Sequence, residues 1–166
     1  ETDTNTSPLH CGVCGKASLE AVAAMMAAKP VKGAGNVSAS LLRSLAGGSH
    51  SAQPVFRDTG GLHAACLFDE RGTLISARED VGRHNALDKL SGAMARAGID
   101  GRRGAVVITS RVSVEMVQKC AMAGVPILIA VSAPTAHALR LAEVAGITLV
   151  AIARGDGFEI FTHPAR

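Results

Sequence analysis

Ala105-Val106-Val107-Ile108-Thr109, Pro126-Ile127-Leu128-Ile129-Ala130-Val131 and Ile147-Thr148-Leu149-Val150-Ala151-Ile152-Ala153 are three apolar runs, rich in Val and Ile, within one stretch of chain. None of them alternates polar with apolar residues, which is the pattern of strands buried on both faces. Strands of that kind belong to parallel sheets covered by crossover helices. Segments with helical spacing, Ser113 to Ala123 and Thr135 to Ala145, separate the runs, and Phe158 to Thr162 reads as a last strand. The expected fold is α/β, a three-layer α/β/α sandwich with a mixed sheet.

Upstream of these runs the pattern changes. Leu62 to Phe68 and Thr73 to Ala77 are short strands joined by the turn Asp69-Glu70-Arg71-Gly72, a β-hairpin. Gly82 to Ala97 follows as a helix with Leu87, Leu90, Met94 and Ala97 on its buried stripe. Nearer the start, Ala17 to Lys29 reads as a helix through Leu19, Val22 and Met26, ended by Pro30. Ser38 caps a second helix whose Leu41, Leu42 and Leu45 face inward until Gly47-Gly48 stops it. The expected organisation is one domain: an arm over residues 1–16, a helical lead-in over 17–50, and an α/β core over 51–166.

The 166 residues are enough for one domain with a real core, and 48% hydrophobic with 19% charged content describes a soluble globular chain. No apolar run is long enough to span a bilayer, so no membrane partner is expected. The net charge of +3 is modest and scattered, and there is no Trp, no Tyr and only four Phe. A chain so poor in stacking surfaces is not expected to bind nucleic acid. Four cysteines, two of them (Cys66 and Cys120) in apolar surroundings, suit a reducing cytoplasm better than a disulfide scaffold.

In open α/β sheets ligands bind beyond the carboxyl ends of the strands. The residues there are Asp80, Arg83 and His84; Ser110 and Arg111; Ser132 and Thr135; and Arg154, Gly155, Asp156 and Gly157. Arginines, hydroxyls and helix starts together favour an anion, most simply a phosphate or pyrophosphate. Ser132 and Thr135 also read simply as helix caps, and His84 as a structural hydrogen-bonder. The Arg154 loop is the stronger site, because its two glycines let backbone amides approach a ligand.

The other chemical signal is His10-Cys11-Gly12-Val13-Cys14-Gly15-Lys16, where two thiols lie close together among glycines. A neighbouring cation or histidine lowers a thiol pKa, and His10 and Lys16 are placed to do so. Cys11 therefore reads as a sulfur-handling nucleophile. The rival readings are a zinc site using Cys11, Cys14 and His10, Cys66 or His63, a thioredoxin-like redox pair, and a nucleotide-binding module whose cysteines are dispensable. The C-x-x-C does not follow a βαβ start, which disfavours the redox pair.

The order hairpin, helix, strand, helix, strand is similar to the cytidine-deaminase arrangement. A zinc deaminase needs H-x-E at the first helix start and P-C-x-x-C at the second. Those places hold His84-Asn85-Ala86 and Ser110-Arg111-Val112-Ser113, so the scaffold is shared without the hydrolytic chemistry.

Cys11 to Lys16, Thr59-Gly60-Gly61-Leu62-His63-Ala64-Ala65, Glu79-Asp80-Val81-Gly82-Arg83-His84-Asn85-Ala86-Leu87-Asp88-Lys89 and the segment from Ser110 to Pro164 together resemble the FdhD-type accessory proteins of formate dehydrogenase. The resemblance implies a cytoplasmic, homodimeric sulfur carrier, a sulfurtransferase with a cytidine-deaminase-like fold. Such a protein takes sulfur from a cysteine desulfurase and passes it to the molybdenum cofactor, bis-molybdopterin guanine dinucleotide, before that cofactor enters apo formate dehydrogenase. The family's persulfide-bearing cysteine falls on Cys11 with Cys14 as its companion. Its cofactor-contacting segment falls on Ile152, Ala153, Arg154, Gly155, Asp156 and Gly157, the loop also chosen from strand topology, to which Ser110 and Arg111 are added. The cofactor is cargo, and no resident metal is expected. Family members carry a sizeable segment ahead of the C-x-x-C where this chain has ten residues, so the chain is expected to lack that segment. Ile152 stands where an aromatic residue is common in the family, and Gly157 where a basic one often sits.

Overall fold

The structure, a computed structural model, describes residues 19–32, 37–154 and 157–165. Its centre is a six-stranded mixed sheet in the order β2-β1-β3-β4-β5-β6. The hairpin strands β1 (His63–Asp69) and β2 (Leu74–Asp80) are antiparallel, and β1 runs antiparallel to β3 (Gly104–Ile108). β3, β4 (Ile127–Ala130) and β5 (Thr148–Arg154) are mutually parallel, and β6 (Gly157–Ile160) returns antiparallel along β5. The hairpin turn is built on Asp69, whose Oδ1 accepts the amides of Arg71 at 2.9 Å and Thr73 at 2.8 Å. Gly72 completes it at φ +84°, a conformation that costs a residue with a Cβ.

Successive side chains of a strand point to opposite faces, and here both faces are covered. Val106 and Ile108 of β3 and Leu128 of β4 join one core with α4 (Arg83–Ala97), α5 (Val114–Met122), α6 (Ala136–Ala145) and Met26 of α1 (Leu19–Ala28). Their neighbours Ala105, Val107, Ile127 and Ile129 join a second core under Leu42 and Leu45 of α2 (Ala39–Ser51). The result is the expected α/β fold, with helices on both faces of a mixed sheet. Leu90, Met116 and Leu128 are inaccessible to solvent, and burial of each such side chain stabilises by about 1.5–3 kcal/mol. Ser38 and Thr135 cap α2 and α6 through their hydroxyls, accepting from the amides of Leu41 and Ala138, each at 3.2 Å.

Several boundaries differ from the sequence reading. α2 does not stop at Gly47-Gly48 but runs to Ser51, because Leu42 and Leu45 pin the helix to the sheet. A Cβ on Gly48 would sit 3.4 Å from the Phe68 ring, so this glycine serves close packing rather than termination. On α4, Ala97 is exposed, and Ala86 and Ala93 complete the buried stripe. β6 begins and ends earlier than Phe158 to Thr162. A short helix that the sequence did not announce, α3 (Pro54–Thr59), precedes the hairpin.

Candidate functional site

β2, β3, β4 and β5 all point the same way, so their carboxyl ends form one edge, joined by the first residues of β1 and β6. Loops beyond this edge are laced to each other. Val131 N donates to Ile108 O at 3.1 Å, Thr135 N to Val112 O at 3.0 Å, and Ile152 N to Ser132 O at 3.4 Å, while Val112 bridges to Pro134. Thr109 closes the β1 side, accepting from Ala64 N through its hydroxyl at 2.9 Å.

The loop candidates behave differently from one another. Ser110 is buried, and its hydroxyl donates to Arg111 O at 3.1 Å, bracing the turn rather than facing outward. Arg111 and Arg154 are exposed, two cations on the same edge. Ala153 is buried in the α2 core, so only its backbone can meet a ligand. Ile152 is half-buried against the opposite core and adopts φ +54° at an irregularity in the β5–β6 register. A β-branched residue in the left-handed region is a genuine outlier, and it turns the end of β5. Gly157 opens β6. Gly155 and Asp156, like Cys11 and Cys14, lie outside the described residues.

Residues 79–89 form the β2–α4 corner. Glu79 takes the first amides of α3, Val55 N at 3.0 Å and Phe56 N at 2.8 Å. Asp80 accepts from Gly82 N at 2.8 Å and Asn85 Nδ2 at 3.2 Å, and pairs with Lys89 Nζ. The Lys89 ammonium foremost, with the Gly82 amide, holds the Asp80 carboxyl at about 2. Asp88 pairs with Lys119 of α5 at 2.6 Å. Sequence reasoning missed the Glu79 role because its partners lie 23 and 24 residues away.

Within the same corner, His84 is held below the ordinary imidazole range by burial first, then by the charges of Arg83 and Lys119. Opposite it on α5, burial works against ionisation of Glu115. The nearby Ser113 hydroxyl, the Glu115 amide, and the His84 and Arg83 charges outweigh it and keep the carboxyl below its usual range.

The remaining two cysteines are described. Cys66 and Cys120 are free thiols, buried in the two cores on either side of the sheet. Burial pushes Cys66 up to about 11, with the Glu79 charge adding to it, and burial pushes Cys120 up to about 12. Neither can supply a thiolate near neutrality. Among the described residues no group of three or more His, Cys, Asp or Glu side chains is placed to hold a metal ion, and no helix is long and apolar enough to cross a membrane.

Comparison with known proteins agrees with this arrangement. The FdhD/NarQ family profile matches residues 1–166. The chain belongs to the FdhD/NarQ family. It is 49% identical over 162 residues to the sulfur carrier protein FdhD of Agrobacterium fabrum, covering 96% of this chain and 58% of that protein. It is 46% identical over 166 residues to that of Mycobacterium tuberculosis, covering 99% and 60% respectively. The chain thus spans somewhat less than two-thirds of the curated relatives' length. A crystal structure of a candidate formate dehydrogenase accessory protein from Desulfotalea psychrophila superposes with a TM-score of 0.76 at 31% identity, covering 86% of this chain and 61% of that one.

Proposed function

We propose that this chain is the sulfur-handling part of a carrier that serves formate dehydrogenase, with Cys11 as the persulfide-bearing residue. The observation that carries the reading is the state of the thiols. Of four cysteines, Cys66 and Cys120 are buried and held protonated, which leaves Cys11 and Cys14 as the candidates for sulfur chemistry and so supports the reading. The family's relatives named sulfur carrier proteins support it.

In this reading the Cys11 thiolate attacks the outer sulfur of a persulfide on a cysteine desulfurase. The donor S–S bond breaks as the Cys11–sulfur bond forms, and the donor cysteine leaves as a thiolate that takes up a proton. Cys14 thiolate then attacks the Cys11 sulfur, releasing hydrosulfide to the molybdenum of the bis-molybdopterin guanine dinucleotide, the substrate. A Cys11–Cys14 disulfide remains, which a thiol reductant returns to the dithiol with two electrons. The substrate's phosphates lie along the carboxyl edge against the exposed guanidiniums of Arg111 and Arg154, with the backbone of Ile152, Ala153 and Gly157 alongside. The recipient of the sulfurated cofactor is apo formate dehydrogenase, and the carrier works as a homodimer in the cytoplasm.

Intact-mass measurement after incubation with a desulfurase and cysteine tests the first step. An adduct of about 32 Da, mapped to Cys11 and absent in Cys11→Ala, is the expected result. No adduct in the unaltered chain, or an equal adduct in Cys11→Ala, overturns the assignment.

A further inference from the structure

α1 departs from the pattern of a surface helix. Its stretch Ala21-Val22-Ala23-Ala24-Met25-Met26-Ala27-Ala28 carries no polar side chain, and a helix that is apolar all round is normally buried. Here Met26 reaches the core and Ala23 is half-buried, while Ala21, Ala24, Met25, Ala27 and Ala28 are exposed. The helix is nevertheless fixed in place. Val31, buried just beyond its end, donates its amide to Ala145 O at the end of α6 at 2.8 Å.

Beside α1 a groove of about 510 Å³ opens over α5 and α6, lined by Ala23, Val114, Leu141 and Val144 together with the exposed Arg140 and Glu143. Met25 and Val144 are 40% and 39% accessible. An apolar floor inside a charged rim is the anatomy of a protein–protein contact. Its size narrows the choice of partner. α1 has 10 residues and is therefore about 15 Å long, and packed helices lie about 8–10 Å apart, so the strip over α1 and α6 covers roughly 300 Å². An obligate homodimer buries about 1,000 Å² or more on each side. The strip suits the core of a transient contact better than a permanent second copy.

Its position says which transient contact. α1 begins at Leu19, eight residues after Cys11 and five after Cys14. Those lengths of chain span at most about 29 Å and about 18 Å, and Ala23 lies about 6 Å further along the helix. A standard contact of about 800 Å² per partner is roughly 30 Å across. A protein seated on the groove therefore covers the root of the segment that carries Cys11 and lies within that residue's reach.

We infer that the groove between α1 and α6 is the docking surface for the protein that donates sulfur to Cys11, a partner that bears a persulfide on its own cysteine and presents an aliphatic contact segment. The inference rests on the proposed function for the sulfur chemistry and adds the surface on which the donor is received. Apolar burial holds the complex, and Arg140 and Glu143, of opposite charge, orient it at the rim.

Persulfide loading of Cys11, read by intact mass with two donors, tests the surface. One donor is a cysteine desulfurase supplied with cysteine, and the other is glutathione persulfide, which is too small to need a docking face. Met25→Glu and Val144→Glu each put a carboxylate into the strip at a position already open to water, where substitutions are well tolerated. The expected result is that each raises the desulfurase concentration for half-maximal loading about tenfold, as loss of an interface anchor does, while loading from glutathione persulfide is unchanged. Met122→Glu, on α5 at a residue 72% accessible and outside the groove, leaves both unchanged. An unaltered desulfurase dependence in both strip variants overturns the inference, as does an equal loss with glutathione persulfide. A dimer that becomes monomeric in the strip variants with desulfurase loading intact also overturns it, because the groove then belongs to a second copy. If the unaltered chain accepts sulfur from neither donor, the sulfur reading falls and the docking surface with it. Loading that is intact in every protein and indifferent to the strip removes the docking surface alone.

Discussion

Thiol reactivity offers the sharpest perturbation. An ordinary cysteine with a pKa near 8.5 is about 3% thiolate at pH 7. Cys66 at about 11 and Cys120 at about 12 are ionised to roughly one part in 10⁴ and 10⁵ at that pH. Ionisation alone therefore slows their alkylation about 300-fold and 3000-fold. Steric protection adds to this, since the two residues are 0% and 1% accessible. A pulse of iodoacetamide on the native chain at pH 7, followed by peptide mass analysis, is expected to modify Cys11 and Cys14 while Cys66 and Cys120 stay intact. The same pulse in strong denaturant modifies all four. Both buried thiols favour the protonated folded state. Their contribution to stability is fully present below the unfolded value and is lost as pH rises toward the folded values near 11 and 12. Alkylation of native Cys66 or Cys120 within tenfold of the Cys11 rate would refute the reasoning, and with it the assignment of sulfur chemistry by elimination.

Further outcomes follow from single contacts. Thr162 is buried, and its hydroxyl accepts from Leu149 N at 2.8 Å and donates to Ile147 O at 2.7 Å. Thr162→Val keeps the shape but strands both backbone groups and is expected to lower unfolding free energy in urea by about 2–4 kcal/mol, whereas a loss under about 0.5 kcal/mol would show the bonds to be dispensable. Gly104→Ala places a Cβ 2.7 Å from Phe68 O in the β1–β3 ladder, for about 1–3 kcal/mol or more of destabilisation by overpacking, and a neutral result contradicts the close approach. Gly47 lies inside α2 with open space around it, so Gly47→Ala should raise stability by about 0.5–1 kcal/mol, and a lowered melting temperature counts against a helix continuous to Ser51. In Lys89→Ala the Asp80 carboxyl, at about 2, should rise toward 3.8 in a carboxylate NMR titration. Since its folded value is depressed, Asp80 stabilises above 3.8 and loses that contribution as pH falls toward 2; an unmoved titration would remove Lys89 as the main cause.

The parts of the fold that were legible from sequence are those set by local chemistry. Val106 to Ile108 and Ile127 to Ala130 announce double-sided burial by having no polar alternation, and Ser38 and Thr135 announce helix starts by hydroxyls that reach back to an amide. The parts that were not legible depend on residues distant in sequence. α3 is six residues long and owes its first bonds to Glu79 on another strand. α2 passes through two glycines because the sheet beneath it holds Leu42 and Leu45, and one of those glycines makes room for Phe68. Ala97 fits the period of α4 but falls past the edge of the packed layer. At the site, topology alone brought Arg83, Ser110, Arg111 and Arg154 to one edge. Ser110 turns inward onto Arg111 O, and Ala153 is spent in the core beside the irregularity at Ile152, which no residue type near it advertises.

That bulge and the unpaired corner of α4 bear on the same question. A left-handed Ile costs about 1–2 kcal/mol that Gly or Asn at the same position would not. Arg83 and His84 carry a desolvation cost that pairing elsewhere in residues 79–89 shows the chain able to relieve, since Asp80 alone gathers Gly82, Asn85 and Lys89. Stability accounts for Glu79, Asp80, Asp88 and Lys89, but it opposes Ile152, Arg83 and His84. These three opposed choices lie along the carboxyl edge. Local rules are broken in folded chains chiefly where a ligand or a reaction repays the cost. The strain at Ile152 and the unpartnered Nε of Arg83 and Nδ1 of His84 therefore support the proposed placement of the ligand at this edge.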